Sequence, residues 1–496
     1  MSVAAGLVHD LVSGMAGILW LPAALVLAAA GAALVLDAFE RPSAAVSAVG
    51  LAACIAAAIC VAAALQAPLQ QAVPGVYGGG GLAGAGAAMY ALAALAAATG
   101  MRTLPNSVRG AAAGLVALSA VACQALAGAV DAVVMILALE TLAIASYGLV
   151  SASGTRSSGE VAMRYFVQGS VAAGLLVFGL AGVVAVGGGE TSYEALTASV
   201  ASSPAAAAGV LGMLFVAALA FKAGAVPFHS WVPDAYETVE PGVAVFVAGA
   251  PKIAAVTAVW VLFVRTVWAS ETFADLRTAV AIAAAASVVV GNLAALKQAR
   301  LGRLLGYSAI AQAGYALTGV AAGAVGTGLL VASYALAAAV AFGVAAVLKE
   351  ETGSDPRIED LAGLASRRPA LSAALAAAML SLTGMPLTVG FIGKLWVFYG
   401  AVGAGLTWLA VIGALGSVVS FGYYGRVIQA AYFAEPQAAP AEAAHAAPEA
   451  SDEEPLQPDV PRPRAWPFVA AAAALVIAGT APLVFGFERI VSFFMV

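Results

Sequence analysis

The chain is laid out in long apolar blocks. They fall near 17–37, 43–66, 82–101, 110–128, 130–150, 163–187, 205–222, 241–264, 278–296, 304–323, 326–348, 370–399, 404–432 and 466–487. Each is close to or above the roughly 20 residues a helix needs to cross a bilayer's hydrocarbon core. The pattern predicts about fourteen membrane-spanning helices. Its weakest boundary lies between the fourth and fifth blocks, where Gly128, Ala129 and Val130 give almost no polar punctuation. Residues 434–465 are rich in Pro, Ala and acidic side chains without apolar periodicity, so they read as a flexible linker before the last helix (466–496). His445 in that linker reads as solvated. The connection 349–369 is shorter and more charged, and is expected to be ordered against one face of the bundle.

Composition settles the class. Of 496 residues, 63% are hydrophobic and 9% charged, values that exclude a soluble domain of this size and leave an all-α polytopic membrane protein. Residues 1–16 contain no Lys or Arg, so no cleaved signal peptide is expected and the first helix is read as retained. Cys54, Cys60 and Cys123 lie in apolar blocks without metal-type spacing and read as packing residues. Arg41, Arg102, Arg109, Arg156, Lys297, Arg300, Arg303, Lys349, Arg357, Arg367, Arg368, Arg426, Arg462 and Arg464 lie in or beside odd-numbered connections, against only Arg265 and Arg277 for the even ones. That asymmetry makes the odd connections cytoplasmic and turns both termini outward.

Against this background, three of the five lysines, Lys222, Lys252 and Lys394, and one glutamate, Glu140, stand in or at the ends of apolar blocks. A charge at mid-bilayer costs roughly 2.5–3.5 kcal/mol, so the four together ask for about 10–14 kcal/mol of compensation. The functional reading is a polar line inside the bundle that moves an ion or a proton. Lys252 is about eleven residues from either end of its block, too deep to snorkel easily. It reads as a group that loads and releases a proton, or as a structural lysine held by the carbonyls of a broken helix. Lys222 precedes Gly224 and Pro227, and the segment PFHSWVPDAYE at 227–237 contains Pro227 and Pro233, which free backbone carbonyls. Such groups are tolerated at membrane depth only where protein or water satisfies them, so a broken helix is expected there. His229 and Asp234 could orient the break. Glu140 needs a partner, and Lys222 is the best candidate, either for an acid–base pair or for a structural ion pair. Lys394 follows a second break, at Gly384, Pro386 and Gly390.

The two interrupted spans, FKAGAVPFHSW at 221–231 and LTGMPLTVGFIGKLW at 382–396, suggest two five-helix units, 110–265 (helices 4–8) and 275–432 (helices 9–13), after an N-terminal region within 1–128. An odd number of helices per unit makes consecutive copies insert with opposite topology. Broken helices 7 and 12 then fit the inverted-repeat plan of transporters. No phosphate-binding glycine loop, nucleophile elbow, Cys/His cluster or nucleic-acid-binding feature is present; GGGG at 78–81 reads as a turn, and Tyr and Phe as packing.

The run AFKAGAVPFHSWVPDAYETVEPGVAVFVAGAPKIA at 220–254 resembles the signature of the antiporter-like membrane subunits of respiratory complex I and of multisubunit cation/proton antiporters. LALETLAIASYGL at 137–149, GNLAALKQARLGRLLGYSAIAQAGY at 291–315 and SLTGMPLTVGFIGKLWVFYGA at 381–401 resemble the same family in order and spacing. The resemblance implies a proton-translocating subunit of a bacterial cell (inner) membrane complex, with no cofactor of its own. NADH, FMN, iron–sulfur clusters and quinone would belong to partner subunits, and neighbouring antiporter-like and small hydrophobic subunits would pack beside it in the lipid bilayer. Carried over by position, Glu140 and Lys222 match the family's acid–base pair, Lys252 its central lysine and Lys394 its exit-side lysine. Three positions depart from the family: Arg164 and Gly302 stand where lysine is common, and Gln312 where histidine is. Arginine holds its proton at accessible pH, so Arg164 could tune a field but not relay. Gln312 cannot pass on a net proton, so the route between Lys252 and Lys394 would depend more on water. The rival reading is a subunit of a cation/proton antiporter without redox input.

Overall fold

A computed structural model describes residues 71–73, 77–78, 104, 106–186, 189–202, 205–266, 274–324 and 326–435. The spans expected at 17–37, 43–66, 82–101 and 466–487, nearly all of the 434–465 linker, and with them Cys54, Cys60 and His445, lie outside those residues. A short antiparallel pair, β1 (Gln71–Val73) and β2 (Tyr77–Gly78), which the apolar pattern does not foresee, lies in the connection after the second block. The rest is helical: α1 (Asn106–Gly128), α2 (Ala132–Ser151), α3 (Arg156–Val186), α4 (Tyr193–Ser202), α5 (Ala205–Ala223), α6 (Trp231–Thr238) and α7 (Pro241–Thr266). They are followed by α8 (Ala274–Ala295), α9 (Leu301–Ala322), α10 (Thr327–Thr352), a 3₁₀ turn at Glu359–Leu361, α11 (Leu364–Arg367), α12 (Pro369–Thr383), α13 (Val389–Gly403) and α14 (Thr407–Phe433).

Six of these helices, α2, α3, α7, α8, α10 and α14, are long and apolar enough to cross a membrane, and α1, α5, α12 and α13 are shorter apolar helices. α9 is long but carries Ser308, Gln312, Tyr315 and Thr318, all buried. Its polar side chains face protein, not lipid. The weak boundary after Gly128 resolves through a cap: Asp131 accepts the N–H groups of Val133 and Val134 at 2.8 and 3.3 Å and starts α2.

Both expected breaks are present. α5 ends at Gly224 (φ +71°) and α12 at Gly384 (φ +83°), left-handed positions that cost a residue with a Cβ extra strain. The irregular stretch after each holds one exposed proline, Pro227 or Pro386. The expectation for Pro233 needs correction. It is the third residue of α6, within the first turn, where a missing N–H forfeits no intrahelical bond.

Small residues let the central helices touch. A Cβ on Gly291 of α8 would sit 2.5 Å from the Ala311 backbone nitrogen of α9, and one on Gly314 of α9 would sit 2.7 Å from the Ala284 carbonyl oxygen of α8. Close backbone approach of this kind replaces the hydrophobic drive that helices lack in lipid. One end of the bundle is tied by ions: Arg303 to Asp234 (3.1 Å) and Glu237 (2.6 Å), Arg300 to Glu237 (3.2 Å), Lys349 to Glu240 (2.9 Å) and Asp355 (2.8 Å), and Arg368 to Glu351 (2.9 Å). At the same end the 349–369 connection is ordered, with Ile358 N–H donating to the Ala299 carbonyl and Gly363 N–H to that of Ala434. At the opposite end Arg277 donates to the carbonyls of Ala321 (2.7 Å) and Ala404 (3.3 Å).

Gly291→Ala should destabilise the bundle by about 1–3 kcal/mol, because the new methyl meets backbone. Gly174→Ala, with nothing within 4 Å of its Cβ position, should be neutral. Thermal melting of the detergent-solubilised protein compares the two.

Candidate functional site

The four buried charges are each compensated, and each differently. Lys222, at the last turn of α5, forms an ion pair with Glu140 of α2 at 2.9 Å; the lysine side chain is 7% exposed and the glutamate 24%. Tyr147 and Tyr165 stand beside the carboxylate with rings edge to face at 4.5 Å, and Tyr165 stacks on Trp231 at 4.1 Å. Trp231 Nε1 in turn donates to the Phe221 carbonyl at 3.1 Å, which also accepts the Gly224 N–H at 2.9 Å.

Lys252, midway along α7, is 3% exposed and donates to the Ala309 carbonyl of α9 at 2.8 Å. The rings of Tyr334 and Tyr236 lie 5.7 and 5.8 Å from its ammonium, within cation–π range. Its tip also reaches the first break: a Cβ on Gly224 would sit 3.5 Å from Lys252 Nζ. Lys394 of α13 repeats this relation at the second break, with its Nζ 3.5 Å from the Cβ position of Gly384. It donates to the carbonyls of Leu382 (3.0 Å) and Thr383 (2.9 Å), touches Ser417 Oγ (3.3 Å), and lies 4.3 Å from the centre of the Tyr315 ring. In both breaks an ammonium thus occupies the negative end of a helix stopped inside the bundle.

The broken helices are alike, but their lysines are not placed alike. Lys222 precedes its break by two residues and pairs with a carboxylate, whereas Lys394 follows its break and folds back onto the freed carbonyls. The ammonium that faces the first glycine comes from the next helix, as Lys252.

Gln312 links the last two lysines. Its Nε2 donates to the Leu382 carbonyl at 2.9 Å, the acceptor that Lys394 also uses, and it lies one turn beyond Ala309, the acceptor of Lys252. A cavity with about 10 Å³ of room for a water centre, lined by Lys252, Gln312, Tyr334 and Ala223 among others, joins Lys252 to Gln312. That is space for about one water. Glu140 thus pairs with Lys222, whose helix ends at the glycine that Lys252 reaches, and the neutral Gln312 stands between Lys252 and Lys394.

The remaining expected residues lie off this line. Asp234 is drawn to Arg303 at the ion-tied end and holds α6 to α9, so it does not orient the break as the sequence suggested. His229 sits half-buried within the break, where its carbonyl accepts the Val232 N–H; among the described residues no ion pair joins it to the four charges. Arg164 is on the exposed face of α3. Gly302 packs on α6, since a Cβ there would sit 2.8 Å from the Tyr236 carbonyl oxygen. Sequence reasoning took the tyrosines as packing and passed over Asn292, Tyr236, Tyr315, Tyr334 and Ser417. The one available signal was an asparagine in an otherwise apolar helix. No grouping of three or more His, Cys, Asp or Glu converges among the described residues.

The family model for the transmembrane part of NADH:quinone oxidoreductase and Mrp antiporter proteins matches residues 129–420. NADH-quinone oxidoreductase subunit N 1 of Acidiphilium cryptum is 38% identical over 317 residues, covering 62% of this chain and 65% of the relative. Subunit N of Rhodospirillum rubrum is 37% identical over 330 residues, covering 65% and 67%. The aligned part thus spans about two thirds of the length of these relatives. Among solved structures, a chain of respiratory complex I from Thermus thermophilus with bound Aureothin is 30% identical with a TM-score of 0.75, covering 93% of this chain and 97% of that one. A chain of the Mrp complex from Dietzia sp. shares the fold at 20% identity and a TM-score of 0.78, covering 97% and 96%.

Glu140→Gln and Lys222→Met should each destabilise the protein, and the double variant should cost less than the sum, with a coupling of about 0.5–3 kcal/mol. A thermal-melting cycle on the four proteins measures it; strict additivity would mean that the pair is not coupled.

Proposed function

Because this chain belongs to the NADH:quinone oxidoreductase/Mrp antiporter transmembrane family, we propose that it is the proton-translocating subunit N of an NADH:quinone oxidoreductase. The observation that supports the reading is that one bundle holds the Glu140–Lys222 ion pair, Lys252 beside the first break, and Lys394 on the freed carbonyls of the second, with Gln312 sharing the Leu382 carbonyl with Lys394. Redox chemistry would take place in partner subunits that hold NADH, FMN, iron–sulfur clusters and quinone. This chain would move the charge that their reaction drives.

In the cycle, Lys252 takes a proton from the cytoplasmic side and is biased by the state of the Glu140–Lys222 pair. When the pair is closed at 2.9 Å, the carboxylate's field is largely spent on Lys222. When it opens, the field reaches the next ammonium in line and favours its charged form. The proton then passes by way of the water-sized cavity towards Lys394. Gln312 takes no part as a carrier; it fixes the Leu382 carbonyl that holds Lys394. Tyr236 and Tyr334 stabilise the Lys252 ammonium without a counter-charge, so it can be emptied.

On this reading the chain makes about fourteen spans. The units 110–265 and 275–432 are inverted copies, the ion-tied end faces the cytoplasm of a bacterial cell, and both termini face outward. Its neighbours are the antiporter-like and small hydrophobic membrane subunits of the same complex. The rival is a subunit of a cation/proton antiporter, which would use the same bundle without redox input.

Gentle isolation of the tagged chain from its native membrane separates the two. A particle with flavin and iron–sulfur absorbance that reduces quinone with NADH is expected. An intact particle without either, showing sodium-driven proton flux, would give the antiporter reading first place.

A further inference from the structure

We infer that Asn292 is a proton insulator: a carboxamide that closes the hydroxyl chain leading from Lys394 to the ion-tied end of the bundle. The inference deepens the proton-translocating reading above and rests on it.

A hydrogen-bonded chain leads from Lys394 towards that end. It runs from Nζ to Ser417 Oγ (3.3 Å) and on to the Tyr315 hydroxyl (3.5 Å). Asn292 then donates from Nδ2 to that hydroxyl (3.2 Å) and accepts from the Tyr423 hydroxyl at Oδ1 (3.0 Å). On its other side Lys394 meets no such chain among the described residues, because its Nζ and Gln312 Nε2 both donate to the Leu382 carbonyl, which only accepts. Asn292 and Tyr423 are both buried. Asn292 is three residues from the end of α8, and just beyond it Arg426 donates to the Gln298 carbonyl (3.1 Å). The amide therefore stands about one turn below the end of the bundle.

Hydroxyls relay protons because each both donates and accepts through one oxygen. An amide accepts at oxygen and donates at nitrogen. A proton coming from Lys394 through Tyr315 meets Nδ2, which only donates. One arriving from Tyr423 on Oδ1 leaves only if Nδ2 gives one up, which strands the imidic acid tautomer, and Nδ2 is further engaged by the Val288 carbonyl at 2.8 Å. The path thus forms a continuous network yet cannot carry net charge. A pump needs such a stop. Without it, a proton placed on Lys394 could run back to the side it came from, and the driving reaction would be uncoupled.

The test uses vesicles containing the intact complex, charged by a potassium diffusion potential without NADH, with proton influx read by an internal pH dye. Asn292→Asp replaces the amide by a carboxyl that takes up and releases a proton, and influx should rise several-fold. Asn292→Leu, which offers no relay, should match wild type, and Tyr423→Phe added to Asn292→Asp should return influx to the wild-type rate. Asn292→Asp vesicles as tight as wild type, or Asn292→Leu vesicles as leaky as Asn292→Asp, would overturn the proposal. Should Asn292→Asp not assemble, Asn292→Ser places a hydroxyl, which both donates and accepts, at the same position: several-fold faster influx supports the proposal and the wild-type rate overturns it. NADH oxidation in the same vesicles is scored separately, so failure of the redox reading is told apart from failure of the insulator.

Discussion

A cation inside a bilayer-spanning bundle must find negative charge, and here most of that charge comes from the backbone. A continuous helix spends its carbonyls on itself. A helix stopped in mid-bundle leaves its last carbonyls unpaired and concentrates the negative end of its dipole there. Gly224 and Gly384 make those stops, and an ammonium, Lys252 at one and Lys394 at the other, lies within reach of each. At the second break lysine and break require each other, since Lys394 donates to the freed Leu382 and Thr383 carbonyls, whereas at the first Lys252 lies beside Gly224 but donates to Ala309 of α9. Tight packing follows from the same constraint, because water admitted at random would satisfy both and leave no defined route.

The kinds of compensation also differ in what they permit. The Glu140–Lys222 pair is a full ion pair, and removing one partner leaves a charge stranded in low dielectric, a cost of about 3–5 kcal/mol for fully buried pairs and less here, where Glu140 is partly accessible. Lys252 and Lys394 are held by neutral dipoles and aromatic faces. Neutral partners tolerate a neutral lysine far better than a carboxylate does, which suits those two positions to gaining and losing a proton. In the proposed cycle an ion pair stands beside groups that could empty, so the state of one would bias the other.

Much of this was legible in the sequence because charges and helix breakers are rare in apolar blocks and stand out singly. Glu140, the three lysines and both Gly/Pro interruptions could be identified that way, and the Glu140–Lys222 pairing followed from the need for compensation. What a single sequence hides is which acceptor a side chain reaches. Asp234 looked like part of the break, yet Arg303, sixty-nine residues on in the chain, claims it. Lys222 and Lys394 both border a break, yet one reaches a carboxylate on another helix and the other the freed carbonyls of its own break. The tyrosines were indistinguishable from packing residues, since a buried phenol advertises its hydroxyl partner only in three dimensions. Gly302 looked like a lost lysine, but the space for a side chain is taken by the Tyr236 backbone.

The central claim is that these buried charges carry protons and do not merely hold the bundle together. The most direct measurement is the proton-to-electron ratio of the assembled complex bearing Lys252→Met, reconstituted in vesicles and driven by NADH. The account predicts an assembled, NADH-oxidising complex whose ratio falls well below that of wild type. An assembled mutant complex that pumps at the wild-type ratio would contradict it.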